Sequence, residues 1–419
     1  MVFQYICQNE SGSATGRVRV AVLEYLSGGG LLNDPISPSP TPHRSGCPQP
    51  DTPHRSGCPQ PDTSLPASNL LAPLYQEGLS MLSALATDLS ECGHEVHTCL
   101  ERHAAADPLV VSLLKRFSGL QVQVIDSAWL DRWIDVALQC DRTIVIAPEI
   151  HQQLERIVHK LRAAGAFVIA SSASFLQATS DKLVTAELLK ESGVPHPETQ
   201  LLTQYRLSTI PQGDCNASLP VTVKRRDGAG CAEMKVFDDQ HHLAEWLKSR
   251  ESQILAGDDW IVQPWQSGRP ASLAIIAADG VWTVLGAVEQ RIELVPDSSE
   301  CGYSAVSYLG GAGPLECVSI DQLERLALSV RESLPSGAHG WIGIDFLIPE
   351  SMHTSQDLVV IEINPRLTTS YLGYRTWYGF SLADALLGNL NCSDLDPKSS
   401  CEIFSFSSWD CKRVVQVKV

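Results

Sequence analysis

The 419-residue sequence predicts an α/β domain with an open parallel sheet, followed by an α+β region, on three observations. Apolar, strand-like runs at 17–25, 95–99, 142–147 and 165–170 are separated by helical patterns, which implies parallel strands with helices on the sheet faces. Short strands then cluster around single helices after residue 219. Finally, two apolar runs near the end, 341–348 and 358–364, lie close enough to pair as an antiparallel hairpin.

Residues 17–25 are rich in β-branched side chains and run into Ser27-Gly28-Gly29-Gly30, so a first strand ends in a glycine loop. Ligands of open sheets sit beyond the carboxyl ends of strands, which leaves Ser27, Gly28, Gly29 and Gly30 with two readings, a tight turn or a substrate-binding loop. Residues 34–69 hold ten prolines, and TPHRSGCPQPD at 41–51 recurs letter for letter at 52–62. Such composition cannot build a packed core and predicts an extended, duplicated surface insertion; its Cys-His pairs match no zinc spacing.

Leu74, Leu79, Leu82, Leu85 and Leu89 recur at helical spacing over 71–92, and Gly93 ends the pattern. With the strands at 95–99 and 142–147, a helix to 164 and the strand at 165–170, they complete a first domain over 17–178, behind a disordered 1–16. Asp181-Lys182 opens a helix to Ser192, stopped by Gly193 and Pro195. Strands at 219–223, 233–237 and 259–263 around a helix at 241–250 give a small α+β domain over 179–260. Strands at 271–277, 281–288, 341–348 and 358–364 with a helix at 320–334 form a third region, 261–395. Residues 396–419 read as a tail with one strand at 414–419.

The formal net charge of -17, from 31 basic and 48 acidic residues without a basic block, argues against nucleic-acid or anionic-membrane partners. Thirteen scattered cysteines lack any CxxC pair and fit free thiols in a reducing compartment. No apolar run approaches the roughly 18 residues that span a bilayer, and residues 1–16 lack the regions of a signal peptide, so the expected location is the cytoplasm.

The chemistry concentrates in Val359-Val360-Ile361-Glu362-Ile363-Asn364-Pro365-Arg366. Alternation along a strand sends Ile361 and Ile363 toward a core and projects Glu362 and Asn364 from the other face, roughly 6.6 Å apart. Asp345 interrupts the apolar run at 340–348 and, across a hairpin, falls opposite residue 361 or 362. Asp345, Glu362 and Asn364 then surround one point as hard oxygen ligands suited to Mg²⁺. Arg366 follows as a planar fork for a phosphate or acyl phosphate. Lys224 ends a strand before a loop containing Gly228 and Gly230, which either turns a hairpin or receives nucleotide phosphates.

With Asp181-Lys182, Lys224 and the Asp345…Glu362-Ile363-Asn364-Pro365-Arg366 set, residues 17–390 resemble the ATP-grasp superfamily. The resemblance implies an ATP-grasp fold behind a Rossmann-like, pre-ATP-grasp domain. It places ATP phosphates against Lys182 and Lys224, adenine beside Gln263-Pro264-Trp265, Mg²⁺ or Mn²⁺ on Asp345, Glu362 and Asn364, and the transferred phosphoryl group near Arg291 and Arg366. Gln263 stands where many relatives carry glutamate, and Cys231 extends the glycine loop where a small residue is common. The segments at 24–30 and 364–371 resemble the branch that contains tyramine–L-glutamate ligase. The expected activity is ATP-dependent joining of a small-molecule carboxylate and an amine through an acyl phosphate. Tyr25 and Tyr371 either pack or stack on an aromatic amine. The rivals are an ATP-grasp kinase, a ligase of another substrate class, and a nucleotide-binding regulator without turnover.

Overall fold

The structure, a computed structural model, describes residues 16–31, 71–209, 220–231, 233–249, 259–296, 302–350, 358–390, 395, 404–407 and 415–416. The Pro-rich repeat, residues 1–15 and most of the expected tail lie outside the described residues.

The chain begins with β1 (Arg19–Glu24), α1 (Leu71–Glu91), β2 (Glu95–Glu101), α2 (Arg102–Ala105), α3 (Pro108–Arg116), β3 (Leu120–Ile125), α4 (Trp129–Leu138), β4 (Arg142–Ile146), α5 (Gln153–Ala163) and β5 (Val168–Ile169). Their strands form one parallel sheet in the order β3-β2-β1-β4-β5. The order reverses between β1 and β4, so the crevice that such sheets offer to ligands opens beyond Glu24 and Ile146. Val20 and Val22 pack to one side against α1 residues Leu82, Leu85 and Leu89, while Ala21 and Leu23 pack to the other against Trp133 and Leu161. That two-sided burial explains the near-continuous apolar β1.

Next come α6 (Ala173–Ser180), α7 (Lys182–Glu191), β6 (Gln200–Leu201), α8 (Leu202–Thr209), β7 (Val221–Arg225), β8 (Lys235–Phe237), α9 (Gln240–Ser249) and β9 (Trp260–Pro264). The remainder comprises β10 (Arg269–Ala278), β11 (Val281–Pro296), β12 (Ser304–Gly313), α10 (Ile320–Ser333), β13 (Gly340–Ile348), β14 (Val359–Asn364), α11 (Tyr371–Tyr378), α12 (Ser381–Leu386), β15 (Phe404–Phe406) and β16 (Val415–Gln416). All these strands join one antiparallel sheet in the order β14-β13-β10-β11-β12-β8-β7-β9-β6, with β15 on β12 and β16 on β15. The β12–β8 pairing, Ser304 on Val236 and Ala305 on Lys235, fuses the smaller lobe to the larger. Helix α10 covers the larger lobe with Leu323, Leu326, Ala327 and Val330, one helical stripe, and starts in a Ser319/Gln322 capping box.

Sequence pattern did not reveal β12, which contains Gly310, Gly311 and Gly313. Those glycines answer to packing: a Cβ on Gly311 would sit 2.4 Å from the Glu289 carbonyl oxygen and 2.7 Å from the Phe406 ring.

Candidate active site

Strands β13 and β14 pair with Asp345 directly opposite Glu362 and Gly343 opposite Asn364. Asn364 Nδ2 donates to Asp345 Oδ2 at 3.2 Å, and Gln290 Nε2 donates to Asp345 Oδ1 at 3.0 Å. Burial, and then the negative charge of Glu362, push the Asp345 carboxyl up to about 6. The ladder shifts register between Asp345 and Phe346, so Ile361 is an extra residue, a β-bulge. This corrects the strict alternation read from sequence: Val360 and Ile363 enter the core, whereas Ile361 turns to line the cavity beside Glu362 and Asn364.

Asp181 caps α7 by accepting from the backbone N–H groups of Leu183 and Val184, at 3.0 and 3.2 Å. Arg226 clamps the same carboxylate with two bonds, at 2.8 and 2.6 Å. The adjacent Lys182 is thereby fixed at the start of the helix. Its Nζ lies 2.9 Å from Glu362 Oε1 and also donates to the Gly228 carbonyl. Lys224, 5% exposed on β7, points into the same space. Burial drives its pKa down to about 8, opposed by Glu362 and assisted by Lys182. Gly230 carries the loop through a positive φ of 60°, and Asp227 ties the loop to the first domain by accepting from the His151 backbone N–H at 2.8 Å.

These groups face one cavity of about 500 Å³, lined also by Gly228, Gly230, Gln263, Trp265 and Arg366. Gln263 Nε2 donates to Thr199 Oγ1 at 2.7 Å, and the Trp265 backbone N–H donates to the Pro220 carbonyl at 2.8 Å. Arg366 spends its Nε and Nη2 on Glu149, at 2.9 and 3.0 Å, a bidentate pair that joins the loop after β14 to the loop after β4.

Arg291, the Ser27–Gly30 segment and Tyr371 stand off the cavity wall. Arg291 is exposed and absent from the cavity wall, because strand alternation turns its neighbours Gln290 and Ile292 inward instead. Ser27, Gly28, Gly29 and Gly30 do not line the cavity either. Ser27 donates through N and Oγ to Glu24 Oε2, and Trp133 Nε1 donates to the Gly28 carbonyl at 3.0 Å, so the segment is a packed turn. Glu24, Tyr25 and Leu26 present the cavity surface at that point. Tyr371 is also withdrawn, fully buried with its hydroxyl donating to Asp88 at 2.8 Å.

Residues 179–370 match the ATP-grasp domain family and residues 100–174 the pre ATP-grasp 3 domain family. The chain carries an ATP-grasp domain. The tyramine–L-glutamate ligase of Methanocaldococcus fervens is 22% identical over 344 residues, covering 80% of this chain and 94% of that protein. The carbamoyl-phosphate synthase of Methanobrevibacter smithii is 23% identical over 247 residues, 55% of this chain; the chain spans 59% of that relative's length. A solved Archaeoglobus fulgidus protein of the ATP-grasp superfamily superposes with a TM-score of 0.54 at 18% identity, covering 88% of each chain.

Within the ATP-grasp domain, the oxygen donors of Asp345, Glu362 and Asn364 suit a hard divalent cation. The fit is electrostatic as well, since the negative charge of Glu362 raises the cost of ionising Asp345 and a cation would relieve it. Among the described residues no three His, Cys, Asp or Glu side chains converge, and the third oxygen donor beside Asp345 and Glu362 is the amide of Asn364. Sequence reasoning missed Glu149, Gln290 and Glu77, which line or brace the site from distant segments; only Glu149 and Gln290 lie beside strands that had been read as such.

Proposed function

We propose that the protein is an ATP-dependent carboxylate–amine ligase that forms an amide through an acyl phosphate. The supporting observation is that Lys182 and Lys224 share one cavity with Asp345, Glu362 and Asn364, and that Arg366 stands next along the wall. Lys182 and Lys224 hold the nucleotide phosphates, with the base beside Gln263 and Trp265 and the phosphates over Gly228 and Gly230. Asp345, Glu362 and Asn364 would hold Mg²⁺ or Mn²⁺, which supplies neutralisation of phosphate charge.

Arg366, its fork braced by Glu149, orients the substrate carboxylate for attack on the γ-phosphorus; ADP leaves and an acyl phosphate remains. Amine attack on the acyl carbon then releases phosphate. Positioning and charge carry this chemistry, which accords with a wall that presents Lys182, Lys224, Arg366 and carboxylates. L-Glutamate and tyramine are the first substrates to test, as the relative that covers most of this chain is a tyramine–L-glutamate ligase. No helix among the described residues is long and apolar enough to cross a membrane, and a cytoplasmic setting with reduced thiols and ATP fits the reading.

The test is ADP release by the full chain with ATP, Mg²⁺, L-glutamate and a panel of amines, with product mass measured alongside. Amine-dependent amide is expected. ADP release that yields only a phosphorylated product would replace ligation by a kinase reading, and nucleotide binding without turnover across the panel would favour a regulator.

A further inference from the structure

Amide formation needs a proton acceptor. An amine arrives at neutral pH as an ammonium ion, which has no lone pair until a proton is removed. We propose that Glu77 takes this proton, and that the amine therefore binds on the α1 side of the cavity. The inference rests on the ligase reading above.

Glu77 is half-buried on α1 and lines the same cavity as Glu362 and Arg366. Thr369 Oγ1 donates to its Oε2 at 3.3 Å, and the described residues give Oε1 no hydrogen bond. The other acid at this end, Glu24, is committed to the turn after β1, accepting from the Leu26 and Ser27 backbone N–H groups and from Ser27 Oγ. Gly78 sets the position of Glu77: a Cβ there would lie 2.3 Å from Glu24 Oε1, so only glycine lets α1 approach the end of β1 this closely. Leu31, Leu74 and Met81 line the cavity nearby and suit an amine with an apolar body.

Burial pushes the Glu77 carboxyl up to about 7, and the Thr369 bond and the Arg366 charge oppose the rise. Cys231 and Tyr308 also feel the Glu77 charge, and Glu24 lies beside the neighbouring Gly78. A carboxylate poised near neutrality suits proton transfer. The ammonium gives one proton to the Glu77 carboxylate, and the freed nitrogen lone pair attacks the acyl carbon. The carbon–oxygen bond to phosphate breaks, the phosphate leaves with the electron pair, and it takes the second proton from nitrogen. Glu77 then returns its proton to solvent.

Hydroxylamine separates this step from acyl phosphate formation, because it is largely neutral near pH 7 and needs no base. The full chain and its Glu77→Gln variant are compared with ATP, Mg²⁺ and L-glutamate, using hydroxylamine or tyramine as the amine. The variant should form hydroxamate within about twofold of wild type, lose roughly 100-fold in amide formation near pH 7, and recover amide as pH is raised. Glu77→Asp should restore part of the loss. Equal loss of hydroxamate and amide, or unchanged amide formation, overturns the assignment of Glu77 and leaves the ligase standing. A wild-type chain that makes neither product overturns the ligase reading, and the proposal with it.

Discussion

Lys182 Nζ lies 2.9 Å from Glu362 Oε1, so the cation that opens α7 neutralises the carboxylate at the centre of β14. Both side chains are largely buried, 7% and 15% exposed, and the contact joins two walls of the cavity. Binding of a phosphate and its cation would divide the pair, Lys182 turning to phosphate and Glu362 to the metal. Replacing Glu362 by Ala should therefore reduce ADP formation by at least about 100-fold. Near-wild-type turnover in a steady-state ADP assay would remove Glu362 from the site.

The Glu149–Arg366 pair is equally enclosed, with side chains 3% and 12% exposed. Removing one partner strands a buried charge, so Glu149→Ala should cost about 3 kcal/mol of stability and read as a lower urea midpoint. An unchanged midpoint would mean that Arg366 finds another partner.

Arg291 is exposed and outside the cavity wall. Arg291→Ala should leave ADP formation within about twofold of wild type and stability within roughly 0.5 kcal/mol. A large loss of turnover would return Arg291 to the phosphoryl site that the family resemblance had given it.

Glu24 provides a pH test. Burial raises its carboxyl from 4.5 to about 7. The folded protein thus keeps a proton that the unfolded chain releases, so the protonated carboxyl's contribution is fully present below about 4.5 and is lost as pH rises through about 7. Melting temperature should fall across that window, and Glu24→Gln should flatten the fall by an amount on the order of 3 kcal/mol at most. A variant with the same slope as wild type would show that Glu24 is not the group responsible.

What could be read from sequence follows the range of the interactions. The Asp345–Glu362 pairing was legible because one short hairpin fixes it, and the register prediction of 361 or 362 resolves to 362. The bulge at Ile361 was not, since an inserted residue leaves no mark in the apolar pattern. Lys224 stood out by ending a strand beside a glycine loop, whereas Lys182 entered through the family resemblance. Arg291, given by the family resemblance, and Ser27, with a turn as one of its two readings, lie off the cavity wall, since which face of a long strand or a tight turn meets the cavity depends on partners such as Gly310 and Trp133. Glu149 meets Arg366 across 217 residues and Glu77 meets Thr369 across 292, separations at which no local pattern survives.

Oxygen-18 transfer tests the central claim most directly. With L-glutamate labelled in its carboxylates, ATP, Mg²⁺ and tyramine, an acyl phosphate route moves one labelled oxygen into inorganic phosphate for each amide formed. Labelled phosphate in step with amide is the predicted result. Amide formed with unlabelled phosphate would contradict the account.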